Sequence, residues 1–295
     1  GSGKSFSVTA TDADGQSTTV TRTYNVVALA PTVTLTTPPS GTPTYTYGQV
    51  VDASYSCTPG GGSTISSCVG TVASGSAVNT TSVGSGKSFS VTATDADGQS
   101  TTVTRTYNVV ALPPSVTLTT PPSGTPTYTY GQVVDASYSC AAGGGSTLSS
   151  CTGTVPSGSP IHTTTPGSNS FTVTATDADG QSMTVTRSYN VVAASTSLEA
   201  WPQLIEFEPF VGIGSGVVAA TLTSGGHPVS GQTIYFTVGS TALCHATTNA
   251  AGYAICPISP VNQALLYRTN YYSASYSSSS DYTGSTATTP VVTFI

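Results

Sequence analysis

Residues 1–29 recur without a change as residues 84–112, and a third copy, one residue shorter at its front end, runs from Gly167 to Ala193. The stretch between the first two copies recurs as well: Pro31-Thr32-Val33-Thr34-Leu35 onward matches Pro114-Ser115-Val116-Thr117-Leu118 onward. The offset is 83 residues between the first two copies and 82 between the last two. Self-similarity at a domain-sized period makes each period a folding module and the chain an array. An array multiplies length and contact surface. An enzyme seldom needs three copies of one site, so the repetition points to a structural or adhesive chain.

The period inside each module is two residues. In Ser88-Phe89-Ser90-Val91-Thr92-Ala93, and again in Thr102-Val103-Thr104-Arg105-Thr106-Tyr107-Asn108-Val109, apolar and hydroxyl side chains alternate. That pattern predicts strands with one face in a core and one in water. Asp95-Ala96-Asp97-Gly98-Gln99 lies between them, and Asp97-Gly98 signals a hairpin turn. Further strands are expected over Val33–Thr36, Val50–Cys57 and Cys68–Val72, punctuated by Thr-Pro-Pro-Ser-Gly and Gly-Gly-Gly-Ser clusters. No window shows a helical period. Many short strands in about 80 residues predict an all-β chain of tandem immunoglobulin-like β-sandwich modules in a rod.

The boundaries follow from the repeats. Residues 1–29 carry only the last hairpin of a module, 30–112 and 113–194 are two complete modules, and 195–295 is a divergent last module. The junctions Ala30-Pro31 and Pro113-Pro114 are short and contain proline, which favours semi-rigid connections. The lone hairpin has two readings: a module cut short, or a surface that completes a sheet with a neighbouring chain by strand addition.

Six cysteines form three local pairs, Cys57/Cys68, Cys140/Cys151 and Cys244/Cys256, one pair in each of the three larger modules. That is the arithmetic of a disulfide framework and of an oxidising, extracellular compartment. A zinc site would require Cys-x-x-Cys spacing or nearby histidines, and these pairs have neither. Charged residues make up only 6% of the chain, and Lys and Arg number six. The formal charge of −6 excludes a nucleic-acid partner, which demands clustered basic residues. No apolar run is long enough to span a membrane as a helix.

The run Gly48-Gln49-Val50-Val51-Asp52-Ala53-Ser54-Tyr55-Ser56-Cys57, with Ser66-Ser67-Cys68 and the Thr-Asp-Ala-Asp-Gly-Gln turn, resembles tandem Ig-like (Big-type) repeats of bacterial secreted and cell-surface proteins. Pro228 to Gly239, Thr248 to Ala254, and Tyr272 to Tyr276 with Asp281-Tyr282 resemble a related bacterial Ig-like family. In that family a Gly-Asp often follows the tyrosine strand; here Ser277 to Ser280 replace most of it. The resemblance implies a stalk, adhesin, fibre subunit or enzyme spacer, outside the cell.

Candidate sites follow, each with a structural alternative. The turn aspartates Asp12/Asp14, Asp95/Asp97 and Asp177/Asp179 could hold calcium, the one cofactor considered, although two carboxylates are fewer than that ion usually takes, and Asp and Gly also suit a turn for backbone reasons alone. Tyr45/Tyr47 and Tyr128/Tyr130 could form a carbohydrate platform or intersubunit contact, or fill the core. Arg22, Arg105 and Arg187 recur in phase with apolar residues, as if to pair with an aspartate. Trp201, Phe207 and Phe210, beside Glu199, Glu206 and Glu208, form a segment unlike the rest and a candidate specific contact. No nucleophile, metalloprotease or phosphate-loop motif occurs. The expected partners are copies of the chain itself, in a homo-oligomer or filament, with a glycan or cell-surface receptor as the alternative.

Overall fold

A computed structural model describes residues 3–206 and 216–294. The chain forms two compact units. One comprises Gly1–Ser115, Cys140–Ser150 and Ala175–Met183; the other comprises Val116–Ser139, Cys151–Thr174 and Thr184–Ile295.

The first unit begins with a lone antiparallel hairpin, β1 (Lys4–Thr11) and β2 (Ser17–Tyr24), in register from Lys4 opposite Tyr24 to Thr11 opposite Ser17. All residues of both strands are exposed. The first full repeat follows. Strands β3 (Thr32–Thr37) and β5 (Ser54–Thr58) pair antiparallel. Strands β4 (Thr44–Thr46), β6 (Ile65–Gly70), β7 (Gly84–Asp95) and β8 (Ser100–Val110) form a second sheet in the order β4-β8-β7-β6, with β4 parallel to β8.

The two sheets enclose Leu35, Tyr45, Ala53, Val78, Phe89, Val91, Tyr107 and Val109. The alternation in β7 places Phe89 and Val91 inward while Ser90 and Thr92 bond across to Thr104 and Thr102, each pair at 2.8 Å. Burying Phe89 to 1% exposure contributes about 1.5–3 kcal/mol. The Cys57–Cys68 disulfide joins β5 to β6 and so ties the two sheets together. Tyr55 seals one corner: its hydroxyl donates to Val72 O and accepts from Gly70 N, both at 3.0 Å. Gly70 is required there, because a Cβ would stand 2.6 Å from the Tyr55 ring.

Several strands differ from the sequence expectation: the one expected over Cys68–Val72 runs from Ile65 to Gly70. The strand foreseen from Val50 begins only at Ser54, and Val50 is 82% exposed. The short β4 was not foreseen at all, because its three residues acquire strand geometry only by lying against β8.

The second repeat carries β9 (Ser115–Thr120), β10 (Thr127–Thr129), β11 (Ser137–Ala141), β12 (Leu148–Gly153), β13 (Gly167–Asp177) and β14 (Ser182–Val192), with the same sheet orders, β11-β9 and β10-β14-β13-β12. Cys140 and Cys151 are both disulfide-bonded.

The last module has β15 (Ser197–Ala200), β16 (Gln203–Glu206), β17 (Val217–Ser224), β18 (His227–Pro228), β19 (Thr233–Val238), β20 (Thr241–Thr247) and β21 (Tyr253–Pro257), then α1 (Pro260–Thr269), β22 (Tyr271–Tyr276) and β23 (Ser285–Phe294). One sheet contains β15-β17-β18, with β21 also pairing with β17; the other is β16-β23-β22-β19-β20. Their shared core includes Val218, Leu222, Ile234, Phe236, Leu266 and Tyr272. The Cys244–Cys256 disulfide links β20 to β21 across it.

Helix α1 is the one helix among the described residues of this otherwise all-β chain. Ser259 caps its first turn by accepting from Asn262 N, Pro260 stands at its start, and Asn270 ends it in the left-handed conformation. Only Gln263 and Leu266 are buried, while Val261 is 79% exposed, so the segment has no apolar stripe for a periodicity argument to detect.

Candidate functional site at the repeat ends

The chain end of one repeat is bonded to the glycine loop of the next, and the same device occurs twice within the first unit. Leu29 N donates to Gly61 O (3.1 Å), and Gln99 Nε2 donates to Ala28 O (2.6 Å). At the equivalent positions Leu112 N donates to Gly144 O (2.9 Å), and Gln181 Nε2 donates to Ala111 O (3.0 Å). The glycines make the approach possible: a Cβ on Gly60 would stand 1.9 Å from Leu29 O, and one on Gly143 1.8 Å from Leu112 O. The Gly-Gly-Gly-Ser cluster is therefore a docking seat as well as a turn, a role that local sequence rules do not reveal.

Tyr47 adds a clamp to the second of these junctions. A Cβ on Gly144 or Gly145 would meet its ring at 2.7 and 2.6 Å, so the ring lies directly on that backbone. In the second unit Tyr130, the equivalent residue, packs edge-on against Tyr282 at 5.3 Å, where Ala194 N donates to Asp281 O and Thr283 N donates to Ala194 O, both at 2.9 Å. At the first junction no tyrosine among the described residues lies on Gly61 or Gly62.

The paired tyrosines thus do not form one platform. Tyr45 faces the core against Tyr107 (5.9 Å), and Tyr128 packs on Tyr189 (5.7 Å), whereas Tyr47 and Tyr130 serve the junctions. Residues two apart on a strand share a face, but the short strands end at Thr46 and Thr129, so Tyr47 and Tyr130 lie in the turns that follow and part from Tyr45 and Tyr128. Burial raises the pKa of Tyr45 and of Tyr107, and the neighbouring Tyr45 raises that of Tyr107 further.

The turn aspartates divide their roles. Asp95 Oδ1 accepts from Asp97 N (3.0 Å) and Gln99 N (2.8 Å), and Asp177 Oδ1 accepts from Asp179 N (3.1 Å) and Gln181 N (2.8 Å). Asp12 does the same for Asp14 N and Gln16 N. The first aspartate of each pair holds the turn that presents the junction glutamine. Asp95 and Asp177 are each only 2% exposed, and their Oδ2 atoms have no hydrogen-bond partner. Among the described residues no group of three or more His, Cys, Asp or Glu is placed to hold a metal. Each turn brings two carboxylates, one of them already bonded to backbone amides, where calcium takes six to eight oxygens.

Arg105 lies partly buried with its Nε unpartnered, and no aspartate pairs with it among the described residues. Trp201 is 45% exposed; its Nε1 donates to Thr221 Oγ1 (2.7 Å) and its ring meets Tyr253 at 5.7 Å. Phe207, Glu208 and Phe210 lie outside the described residues. No helix among the described residues is long and apolar enough to cross a membrane.

No family model matches the chain, and no curated protein matches it. Among solved structures it is similar to a calcium-stabilised adhesin that helps an Antarctic bacterium bind ice, at 17% identity and a TM-score of 0.37 over 98% of this chain and 82% of that one. It is also similar to a tetra-tandem repeat from the extending region of a large adhesion protein, at 13% identity and a TM-score of 0.32 over 98% and 81%. A third similarity is to Drosophila N-cadherin EC1-4, at 15% identity and a TM-score of 0.27 over 99% and 83%. Likenesses this loose carry no argument about function.

Proposed function

We propose that the chain is a length of a non-enzymatic extracellular structural protein, its Ig-like modules serving as the body of a surface fibre or filament. The observation that carries this reading is the junction repeated in the first unit. The same residues, Leu29/Leu112 and Gln99/Gln181, bind the same glycine seats Gly61/Gly144 and the same carbonyls Ala28/Ala111. A flexible tether needs no such seat; a load-bearing array does. Disulfides joining the sheets support an oxidising compartment, and neutral hydroxyl-rich faces such as Ser90/Thr104 and Thr92/Thr102 allow lateral contact without charge repulsion. The family assignment to bacterial Big-type repeats and the module limits 30–112, 113–194 and 195–295 belong to this same reading.

The alternative is an adhesin that contacts a glycan or receptor through its last module. It rests on the half-exposed Trp201–Tyr253 pair beside Ile255, which is 58% exposed. Immunogold labelling of intact source cells tests the location: label on the outer surface or on shed fibres agrees, and label confined to the cell interior contradicts it. A glycan array tests the alternative, which requires binding that Trp201→Ala removes.

A further inference from the structure

Asn79 stands on a pinned segment with its side chain in water. Its neighbours Val78 and Thr80 are buried, while Asn79 and Thr81 are exposed. The backbone is held on both sides. Val78 N donates to Val51 O (2.8 Å), Gly48 N donates to Thr80 O (3.0 Å), the Thr80 hydroxyl donates to Gln49 O (2.7 Å), and the Tyr107 hydroxyl donates to Asn79 O (3.1 Å). Loop residues this firmly anchored present their outward side chain in one place.

Thr81 fixes the orientation of the carboxamide. Its backbone N and its hydroxyl both donate to Asn79 Oδ1, each at 3.2 Å. A backbone N–H can only donate, so the atom it faces is the amide oxygen, and Nδ2 is turned away from Thr81. Among the described residues Nδ2 has no hydrogen-bond partner.

The same scaffold recurs in the second unit under a different side chain. Ile161 N donates to Val134 O (2.9 Å), Gly131 N donates to Thr163 O (3.1 Å), the Thr163 hydroxyl donates to Gln132 O (2.7 Å), and the Tyr189 hydroxyl donates to His162 O (2.7 Å). His162 occupies the place of Asn79 and is likewise exposed. The fold therefore asks for no asparagine at this position. Asn79-Thr80-Thr81 is also the only Asn-x-Ser/Thr sequence in the chain.

We propose that Asn79 is an asparagine-linked glycosylation site, the acceptor for an oligosaccharide carried on a lipid pyrophosphate. The Asn-x-Thr sequence marks such acceptors on surface loops of secreted chains, so the inference rests on the extracellular reading. A carboxamide nitrogen is a poor nucleophile because its lone pair is delocalised. Two donors on Oδ1 draw density from that nitrogen, acidify its protons and hold the amide plane still. In the transfer Nδ2 bonds to the anomeric carbon, and the bond from that carbon to the phosphate oxygen breaks. The lipid pyrophosphate leaves with the electron pair, and the Nδ2 proton passes to a base of the transferase.

Tandem mass spectrometry of peptides from native material tests the proposal. The expected result is a sugar mass increment on Asn79 in most copies, lost from Asn79→His and from Thr81→Ala produced in the source cells. Asn79→His installs the residue that the second unit carries on the same scaffold, so its circular dichroism should match that of the unsubstituted chain; this separates loss of the acceptor from loss of the fold. Native chains bare at Asn79, including chains with sugar on the Thr81 hydroxyl instead, overturn the inference. So does a Thr81→Ala chain modified at Asn79 as fully as the unsubstituted one. Failure of the extracellular reading is seen separately, as immunogold label confined to the cell interior.

Discussion

Phe6 and Phe89 occupy the same position in the same 29-residue sequence, each opposite an arginine, Arg22 and Arg105, yet Phe6 is 64% exposed and Phe89 is 1% exposed. Local sequence therefore sets the hairpin, and only the front half of a repeat sets the core. The pair provides an internal control. Phe89→Ala should destabilise the first repeat by about 3–5 kcal/mol through lost burial and the cavity left behind. Phe6→Ala should change stability by less than about 0.5 kcal/mol. Calorimetry of the two variants checks both values.

Gly60 and Gly143 admit the carbonyls of Leu29 and Leu112. Gly143→Ala should force the Leu112–Gly144 bond open and speed exchange of the Leu112 amide by about tenfold, the worth of about one net hydrogen bond. The core of the first repeat, including Val91, should keep its protection. Gly60→Ala should do the same at Leu29. Residue-resolved hydrogen exchange by NMR reads both effects.

Asp95 separates a turn cap from a metal ligand. Asp95→Ala removes the acceptor for Asp97 N and Gln99 N and should cost about 1.5–3 kcal/mol. Asp95→Asn keeps an acceptor oxygen and replaces the buried, unpartnered Oδ2 by a neutral amide, so stability should hold or rise. Melting curves with calcium or with a chelator should superimpose for the unsubstituted chain. A large calcium-dependent shift that Asp95→Asn abolishes would assign the turn to metal instead.

The buried phenols govern behaviour at high pH. Burial raises Tyr272 above the ordinary tyrosine value of about 10, against smaller lowering by its bonds to Ala219 and Trp201; burial likewise raises Tyr45, Tyr128 and Tyr189. A raised folded-state value means that the neutral form is favoured by folding. This stabilisation is full below about pH 10 and is lost as pH rises through the higher folded values. Ultraviolet titration should show Tyr272 ionising late, with stability falling in the same alkaline range.

The strands and the hairpin turn were legible because alternation and Asp-Gly are local signals, and β7 and β8 follow them residue by residue. The three cysteine pairs were legible from spacing. Tyr45 and Tyr47 were ambiguous, since the two-residue period gives them one face and they part only because β4 ends at Thr46, a short strand set by its pairing with β8 64 residues away in sequence (Thr44 with Asn108). The junction escaped notice because its chemistry is backbone carbonyls and missing Cβ atoms, and the Gly-Gly-Gly run reads equally well as a plain turn. Helix α1 could have been found from Ser259-Pro260 and Asn270, signals that mark its ends even where no apolar stripe marks its body.

Electron microscopy of the native material tests the central claim most directly. Ordered filaments whose axial period is a whole number of repeats are the predicted result, with labelled antibody to the last module recurring at that same period. Single unassembled particles in every preparation, with no filament carrying the antibody, would contradict the account.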